Sequence, residues 1–396
     1  YSTRRAERQF GNLHKTINNY EDASHKDAVP PQNGTGGFAR KQVSLDYTEG
    51  FSCLAGRCPD TCCKDWEIIL DADAVARYQA MPGPLGEQVR AAMTQTDEGE
   101  TMWRLTNGHC ALLREDGLCP IQCAYDEAAL CRTCRTHPRF YEEYGATREL
   151  TLALSCPAAA RSLLAHEAPL RLVETQTDEP VTPNDLAPEL YFSLLHVRRA
   201  LFALAQDRTL ALSERMGLIL HLAERAQPLL DAEKYARIDT LCTDPRPARA
   251  LALVRRRLRT DGAFFPCWMV LRNMEHLTAE FPRLLDRVNH AEPPDDFDVR
   301  FPAQAENLLV YFLFRYVLKA VNDGRLLPRV ESCLFHVAAL RYLCGAADAR
   351  TLEALQPIVS LYCKEVEHSE ENLQLLQRVF ARGTISARYL YTVLCP

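Results

Sequence analysis

Ten of the sixteen cysteines in this 396-residue chain lie between Cys53 and Cys156, while the other six are scattered singly over the C-terminal part. Clustered thiols constrain a fold more than any other composition feature, because thiolates that converge on one point repel each other unless a metal or cluster neutralises them. A metal centre in this segment is therefore the first expectation. Compartment decides the competing reading, a disulfide scaffold, since secreted chains oxidise cysteines in pairs and cytosolic chains keep them reduced. Residues 1–15 carry charged and polar side chains without an apolar core, so no signal peptide is read and a cytoplasmic protein with reduced thiols is expected.

The thiols form two groups. Cys53, Cys58, Cys62 and Cys63 come first, followed by Cys110, Cys119, Cys123, Cys131 and Cys134, with Cys156 after them. Structural zinc favours paired Cys-x2-Cys knuckles, and only Cys131 and Cys134 have that spacing. Iron-sulfur clusters tolerate less regular spacings, although neither common ferredoxin pattern is copied here. Neighbouring side chains diverge, so Cys62 and Cys63 are not expected to bind one mononuclear metal together; one of them is either buried or serves a second site. Cys123 and Cys131 stand evenly between ligand and buried thiol. Cys242, Cys267, Cys333, Cys344, Cys363 and Cys395 read as small buried hydrophobes.

Around this block the chain divides into three. Residues 1–42 hold no cysteine and include the run Pro30-Pro31-Gln32-Asn33-Gly34-Thr35-Gly36-Gly37, which reads as a flexible arm or linker. No Lys-Ser/Thr follows those glycines, so a phosphate loop is not indicated. Residues 43–161 form the cysteine-rich metal-cluster domain of loops and short helices. Within it a helix is predicted over 71–92, bent or broken at 81–84, and strand alternation over 139–154. Residues 162–396 predict an α-helical domain, with helical spacing over 188–205, 210–230, 247–258, 304–321, 332–343 and 354–367. The fold class is mainly α. The longest apolar run, 308–321, is interrupted by Arg315 and Lys319; it reads as a core helix, with peripheral membrane contact as the alternative. A net charge of −6 offers the nucleic-acid backbone no global attraction, so nucleic acid is not an expected partner. Composition is silent on oligomeric state.

Several blocks together resemble the flagellin lysine N-methylase family. They are Phe51-x-Cys53-x4-Cys58-x3-Cys62-Cys63-x2-Trp66-x-Ile68 followed by Asp71, then Gly108-x-Cys110-Ala-Leu-Leu, and Glu115-Asp-Gly-Leu-Cys119-x-Ile121-Gln122. The likeness continues through Leu130, Cys134, Pro138-Arg139 and Leu154-Ser-Cys156-Pro-x-Ala-Ala-Arg161, then Glu306-Asn307-Leu-Leu-Val-Tyr and Glu365-x-Glu367-His368-Ser369. It covers the chain from about Val43 onward. The resemblance implies a cytosolic enzyme that transfers methyl groups from S-adenosylmethionine to lysine amines of flagellin and carries a 4Fe-4S cluster. Carried over by position, it implies Cys53, Cys58, Cys62, Cys63, Cys110, Cys119, Cys134 and Cys156 as metal-site residues. Eight thiols exceed the four that one cluster needs, and the resemblance does not say which subset serves.

Methyl transfer to lysine requires a neutral amine, obtained by desolvation or by a base. Asp65, Glu67, Asp71, Asp116, Tyr141 and Tyr144 lie in or beside the matching blocks, and none is singled out over a structural role. His137 and Arg139 are read first as structural, and Trp66 first as core rather than as a platform for a sulfonium. The S-adenosylmethionine pocket is unmarked: no Gly-rich turn sits between a strand and a helix, and Cys58-x3-Cys62 followed at once by Cys63 misses the radical Cys-x3-Cys-x2-Cys signature. Two further readings remain. One is a non-catalytic zinc- or iron-binding module with a helical partner-recognition domain, and the other an iron-sulfur redox protein. The helical domain is expected to grip a helical polypeptide substrate.

Overall fold

The computed structural model describes residues 40–394 except 178, 182–184, 244–247, 259–263 and 290–295. Two units divide the chain, Tyr1–Ala39 and Arg40–Pro396. The first, with most of the expected arm and its Pro/Gly run, lies outside the described residues, as does Cys395.

The second unit opens with strand β1 (Arg40–Leu45), followed by loops carrying the 3-10 turns Asp46–Thr48 and Ala55–Arg57. The predicted bent helix forms as two, α1 (Ala72–Gln79) and α2 (Gly83–Ala92). Asp71 starts α1 by accepting a hydrogen bond from the Ala74 backbone N–H at 3.0 Å. Pro84 falls in the first turn of α2, where its missing N–H costs nothing. The corner between them demands glycine at 86, since a Cβ there would lie 1.9 Å from the Met81 carbonyl oxygen. Two small hairpins follow, β2 (Met93–Gln95) with β3 (Thr101–Trp103) and β4 (Leu105–Thr106) with β5 (His109–Cys110), then helices α3 (Pro120–Tyr125) and α4 (Arg132–Thr136).

The strand alternation over 139–154 becomes the hairpin β6 (Arg139–Tyr144) and β7 (Thr147–Leu152). Helix α5 (Pro157–Leu164) and strand β8 (Leu172–Thr177) come next. The hairpin belongs to a four-stranded sheet in the order β6-β7-β1-β8, with β1 parallel to β7 and antiparallel to β8. The sequence pattern announced neither β1 nor β8. β1 spans the boundary read at 42/43, and the sheet joins it to strands on both sides of 161/162.

The remainder is helical: α6 (Pro188–Ala205), α7 (Leu212–Asp231), α8 (Tyr235–Thr243), α9 (Ala248–Arg257), α10 (Phe265–Arg272), α11 (Glu280–Leu285), α12 (Phe297–Arg300), α13 (Pro302–Tyr316), α14 (Leu326–Ala346), α15 (Leu352–Glu367), α16 (Glu370–Ala381) and α17 (Ala387–Val393). All six predicted helical stretches have counterparts here, which makes the protein mainly α. The stretch 304–321 ends differently from expectation, because α13 stops at Tyr316 and a 3-10 turn, Val317–Asn322, continues it. Its apolarity is explained by packing, since Leu308–Phe314 are buried on every side. Among the described residues no helix is long and apolar enough to cross a membrane.

One core runs from Val43 and Leu45 of the sheet through all the large helices to Leu394. Buried charges serve as joints within it. Arg198 of α6 donates to Glu149 of β7 at 2.7 Å, and Glu306 accepts from Arg215 at 2.8 Å and from Arg208 at 2.9 Å. A second, smaller core gathers Ile68, Leu70, Tyr78, Trp103, Ile121 and Leu130 with buried Cys110 and Cys131.

Candidate functional site

The cysteine-rich loops take their shape from short backbone pairings rather than from long elements. The Cys110 N–H donates to the Cys63 carbonyl at 2.8 Å, the Asp65 N–H donates to the Gly108 carbonyl at 2.8 Å, and Lys64 pairs with His109. These contacts lay the Cys62-Cys63 turn along β5. The Ala55–Arg57 turn presses on the Glu115–Cys119 loop closely enough that a Cβ at Gly56 would meet the Asp116 carbonyl oxygen at 3.0 Å. Cys119 and Cys156 each precede a proline that opens a helix, α3 and α5 respectively. Burial pushes both thiols up, and the backbone N–H groups of Gln122 and Ile121 at Cys119, and of Ala159 and Ala158 at Cys156, pull them back toward ionisation.

Every described cysteine is a free thiol, which removes the disulfide scaffold for those residues. Seven of the eight expected site cysteines, Cys53, Cys58, Cys62, Cys63, Cys119, Cys134 and Cys156, line one cleft of about 440 Å³. The eighth, Cys110, lines an adjoining void of about 70 Å³ together with Cys62, Cys63, Cys119 and Cys134. Cys123 is exposed and lines neither, whereas Cys131 is fully buried. Of the distant cysteines, Cys267, Cys333, Cys344 and Cys363 are buried as expected, and Cys242 is half-buried. Among the described residues no three His, Cys, Asp or Glu side chains draw close enough around one point to hold a metal ion. The thiols ring voids instead.

Neighbouring thiols share protons. A hydrogen bond between the Cys62 and Cys63 side chains draws the Cys63 thiol down to about 7 and pushes that of Cys62 up. The same relation holds between Cys131, lowered by its hydrogen bond with Cys134, and Cys134, raised well above its ordinary value.

The cleft is completed from the far end of the chain. Helix α15 delivers Lys364, whose Nζ pairs with Asp60 at 2.8 Å across 304 residues, and ends at His368. Lys64 pairs with the other oxygen of Asp60 at 2.6 Å. Burial pushes the Asp60 carboxyl up, but hydrogen bonds from Lys364 and Lys64 outweigh it and hold the group below its ordinary value. The His368 ring lies 4.4 Å from Trp66 and 5.7 Å from His137, and its Nε2 is 2.7 Å from the Ser155 hydroxyl. Burial lowers both imidazoles, His137 to about 4 with Lys364 contributing and His368 to about 3 with His137, Lys364 and Arg315 contributing, so both are neutral near pH 7. His368 is aimed by its neighbour: Glu367 is buried and accepts from Arg315 at 2.5 Å and from Tyr316 at 2.9 Å.

The sequence's candidate bases divide accordingly. Asp71 caps α1 and also accepts from the Arg132 N–H at 2.7 Å, and Asp116 accepts from the Leu118 N–H at 3.1 Å and pairs with Arg114 at 2.6 Å. Asp65 lies 3.7 Å from Lys64 and 3.8 Å from Lys364, and Glu67 is exposed. Tyr141 lies under the Arg148 guanidinium, and Tyr144 is buried and stacked on Tyr191. None of these six lines the cleft. Trp66, His137 and Arg139 do line it. Trp66 is half-buried, with its Nε1 donating to the Cys62 carbonyl at 2.7 Å, and Arg139 lies over the Phe51 ring at 5.5 Å. The functional reading of the sequence missed Asp60, Ser155, Lys364 and His368. Two of them had a signal, Ser155 through its place in Leu154-Ser-Cys156-Pro and His368 through its place in Glu365-x-Glu367-His368-Ser369.

The chain is similar to several known proteins. The family model for the FliB lysine N-methylase C-terminal domain matches residues 198–393, the part that contributes Lys364 and His368. The flagellar biosynthetic protein FliU of Salmonella muenchen is 30% identical over 124 residues, covering 30% of this chain and 73% of that protein. A lysine-N-methylase of Salmonella typhimurium and one of Salmonella choleraesuis are also 30% identical over 124 residues, a match spanning 31% of each relative. No solved structure matches. With most of one relative covered at this identity and the C-terminal domain matched, the chain belongs to the FliB lysine N-methylase family.

Proposed function

We propose that this protein methylates lysine ε-amines of flagellin or a related polypeptide, with S-adenosylmethionine as methyl donor and an iron-sulfur cluster held by the cysteine cleft. The observation that carries this reading is that the cleft is built jointly. The cysteines of the N-terminal half line it together with Lys364 and His368 of the family-matched domain. The donor set fits a polynuclear cluster better than a single ion. A cluster is a body several atoms across, so thiolates surround it from outside, as the thiols surround the cleft here, rather than meeting at a point.

When bound, such a cluster supplies Lewis acidity or an electron. The chain's own residues supply the rest. Phe51 and Trp66 line the cleft, and aromatic rings attract a sulfonium. Partial exclusion of water from the cleft lowers the pKa of an entering lysine ammonium and favours the neutral amine that attack requires. His137 and His368 are already neutral and add no positive charge to oppose a cationic donor. Asp60, neutralised by two lysines, orders the cleft rim.

The test is protein purified without oxygen, incubated with methyl-labelled S-adenosylmethionine and flagellin. Label on flagellin lysines, lost in His368→Ala while helical circular dichroism is retained, is the expected result. Cluster-loaded protein that never transfers label would reject methyl transfer and favour the metal-binding module.

A further inference from the structure

We propose that Arg139 is the carboxylate anchor of the cleft, a guanidinium that takes the α-carboxylate at the amino-acid end of S-adenosylmethionine. The inference rests on the methyl-donor half of the function proposed above and not on the cluster. It names the residue that fixes one end of the donor.

Charge in the cleft points to this residue. Two basic side chains line it, Arg139 and Lys364. Lys364 is paired with Asp60 at 2.8 Å. Arg139 is half-buried, and among the described residues no oxygen accepts a hydrogen bond from its guanidinium. The contact it does make is with the Phe51 ring, whose centroid lies 5.5 Å from the guanidinium carbon. A guanidinium over an aromatic face keeps its N–H edges free, and those edges form a rigid fork that matches a carboxylate. Leaving such a group partly desolvated and without an acceptor is costly, so the cleft is suited to an anion at this point. The donor's carboxylate is its one anionic group, so charge directs Arg139 to that end and away from the sulfonium.

The other arginines of the sheet supply a contrast. Arg40 of β1 and Arg148 of β7 both pair with Glu143 of β6, at 2.6 and 2.7 Å. Arg139 stands on the same strand as that acid, yet it turns to the cleft and to no carboxylate of its own chain.

Its mount is firm. Arg139 opens β6 and pairs with Leu152 of β7. The buried Tyr47 hydroxyl donates to the Leu152 carbonyl at 3.0 Å and accepts from the Leu152 N–H at 3.1 Å, and the Ala153 N–H donates to the Pro138 carbonyl at 2.7 Å. The next residue, Phe140, has the Arg315 guanidinium over its ring at 3.8 Å. A binding side chain on so constrained a strand loses little freedom when its ligand arrives. Pro138-Arg139 is also one of the family-shared blocks. The sequence reads Arg139 first as structural because a missing partner is invisible without the fold.

The experiment measures equilibrium binding by calorimetry on the full chain produced without oxygen. One ligand is S-adenosylhomocysteine, which keeps the amino-acid tail. The other is 5′-methylthioadenosine, which keeps the adenosine and thioether but lacks that tail. Wild type, Arg139→Ala and Arg139→Lys are compared, with helical circular dichroism as the check of folding. Arg139→Ala is expected to weaken S-adenosylhomocysteine about 10- to 100-fold, the loss of one charge-assisted pair. Binding of 5′-methylthioadenosine should not change. Arg139→Lys keeps the charge without the fork and should fall between; should Arg139→Ala lose helicity, Arg139→Lys decides alone. Equal weakening of both ligands would make Arg139 structural and overturn the proposal. Undiminished S-adenosylhomocysteine binding in the variants would overturn it too, and loss of flagellin binding alongside would assign the fork to a carboxylate of the polypeptide. Wild-type protein that binds neither ligand would overturn both this anchor and the S-adenosylmethionine half of the proposed function, whereas failure in the variants alone leaves that half standing.

Discussion

The helical region and the cysteine-rich region solve the same problem, holding a chain together, with different means. Around the helices one continuous core buries eighty residues, enough apolar surface to stabilise a domain without further devices. The cysteine-rich region has twelve buried residues in its own core, and apart from α1 and α2 its backbone is ordered by strands of two or three residues, helices of five or six, 3-10 turns and isolated bridges. A core that small rarely suffices on its own, and proteins add disulfides or metals where it does not. Free thiols rule out the first device for the described cysteines. The contrast makes the smaller core the region that the proposed metal would stabilise and predicts that the two regions fail separately.

The sharpest break is metal withdrawal. Stripping metal with a chelator under anaerobic, reducing conditions should expose the backbone amides of 51–138 to deuterium exchange while those of 302–367 remain protected. Loss of protection in both at once would show that the regions unfold as one unit and would end the comparison.

Next in size is a cavity in the helical core. Phe335 is fully buried on α14 and meets the Phe380 ring edge-on at 5.6 Å. Phe335→Ala should cost about 3–5 kcal/mol in denaturant unfolding. Native-state alkylation of the cleft thiols should not change at low denaturant if the regions are as independent as their cores suggest.

A smaller effect comes from Glu331, also on α14. Burial, with the Glu224 carboxylate adding to it, pushes its pKa up to about 8. A carboxyl whose folded pKa exceeds its unfolded value contributes fully below about pH 4.5, and that contribution is lost as pH rises toward 8. Glu331→Gln should abolish this decline and stabilise the protein at pH 8 by on the order of 2 kcal/mol, less than the full shift implies because the buried amide still needs a partner. Parallel pH–stability curves for the two proteins would reject it.

The smallest effect tests a joint inside the cysteine-rich region. Asp71 accepts from the N–H groups of Ala74 and Arg132, so one carboxylate links the start of α1 to the start of α4. Asp71→Ala should cost roughly 1–2 kcal/mol, read most directly as faster alkylation of Cys134 on α4. Global unfolding should hardly move.

The legibility of the molecule follows the same division. Helices α6, α7, α9, α13, α14 and α15 were readable because each carries a long apolar stripe, and a stripe is a local pattern. The short helices α10, α11 and α12 were not, since segments of four to eight residues are helical only through what they pack against. Helix α16 is a different case: its buried positions 372, 376, 379 and 380 form an ordinary helical stripe that the reading passed over. Strand β8 has a mostly exposed burial pattern and exists because β1 offers it an edge, so no alternation announced it.

At the site, the cysteines could be recognised from composition and from the blocks shared with the family. The two motifs in the C-terminal half proved to be mostly joints. Glu306 lies between two arginines, Asn307 donates to the carbonyls of Leu163 and His166, Glu365 accepts from the N–H groups of Leu277 and Thr278, and Ser369 caps α16. Among these residues His368 alone turns toward the cleft.

Spacing and composition thus determined that this chain is mainly helical and that its thiols concentrate between Cys53 and Cys156. Those are properties of residue type and short-range pattern. Tertiary structure alone decided which thiols line one cleft and that Lys364 and His368 reach it. Such contacts join residues as many as 304 positions apart, and proximity of that kind is created by burying the common core, not by any neighbour in the sequence.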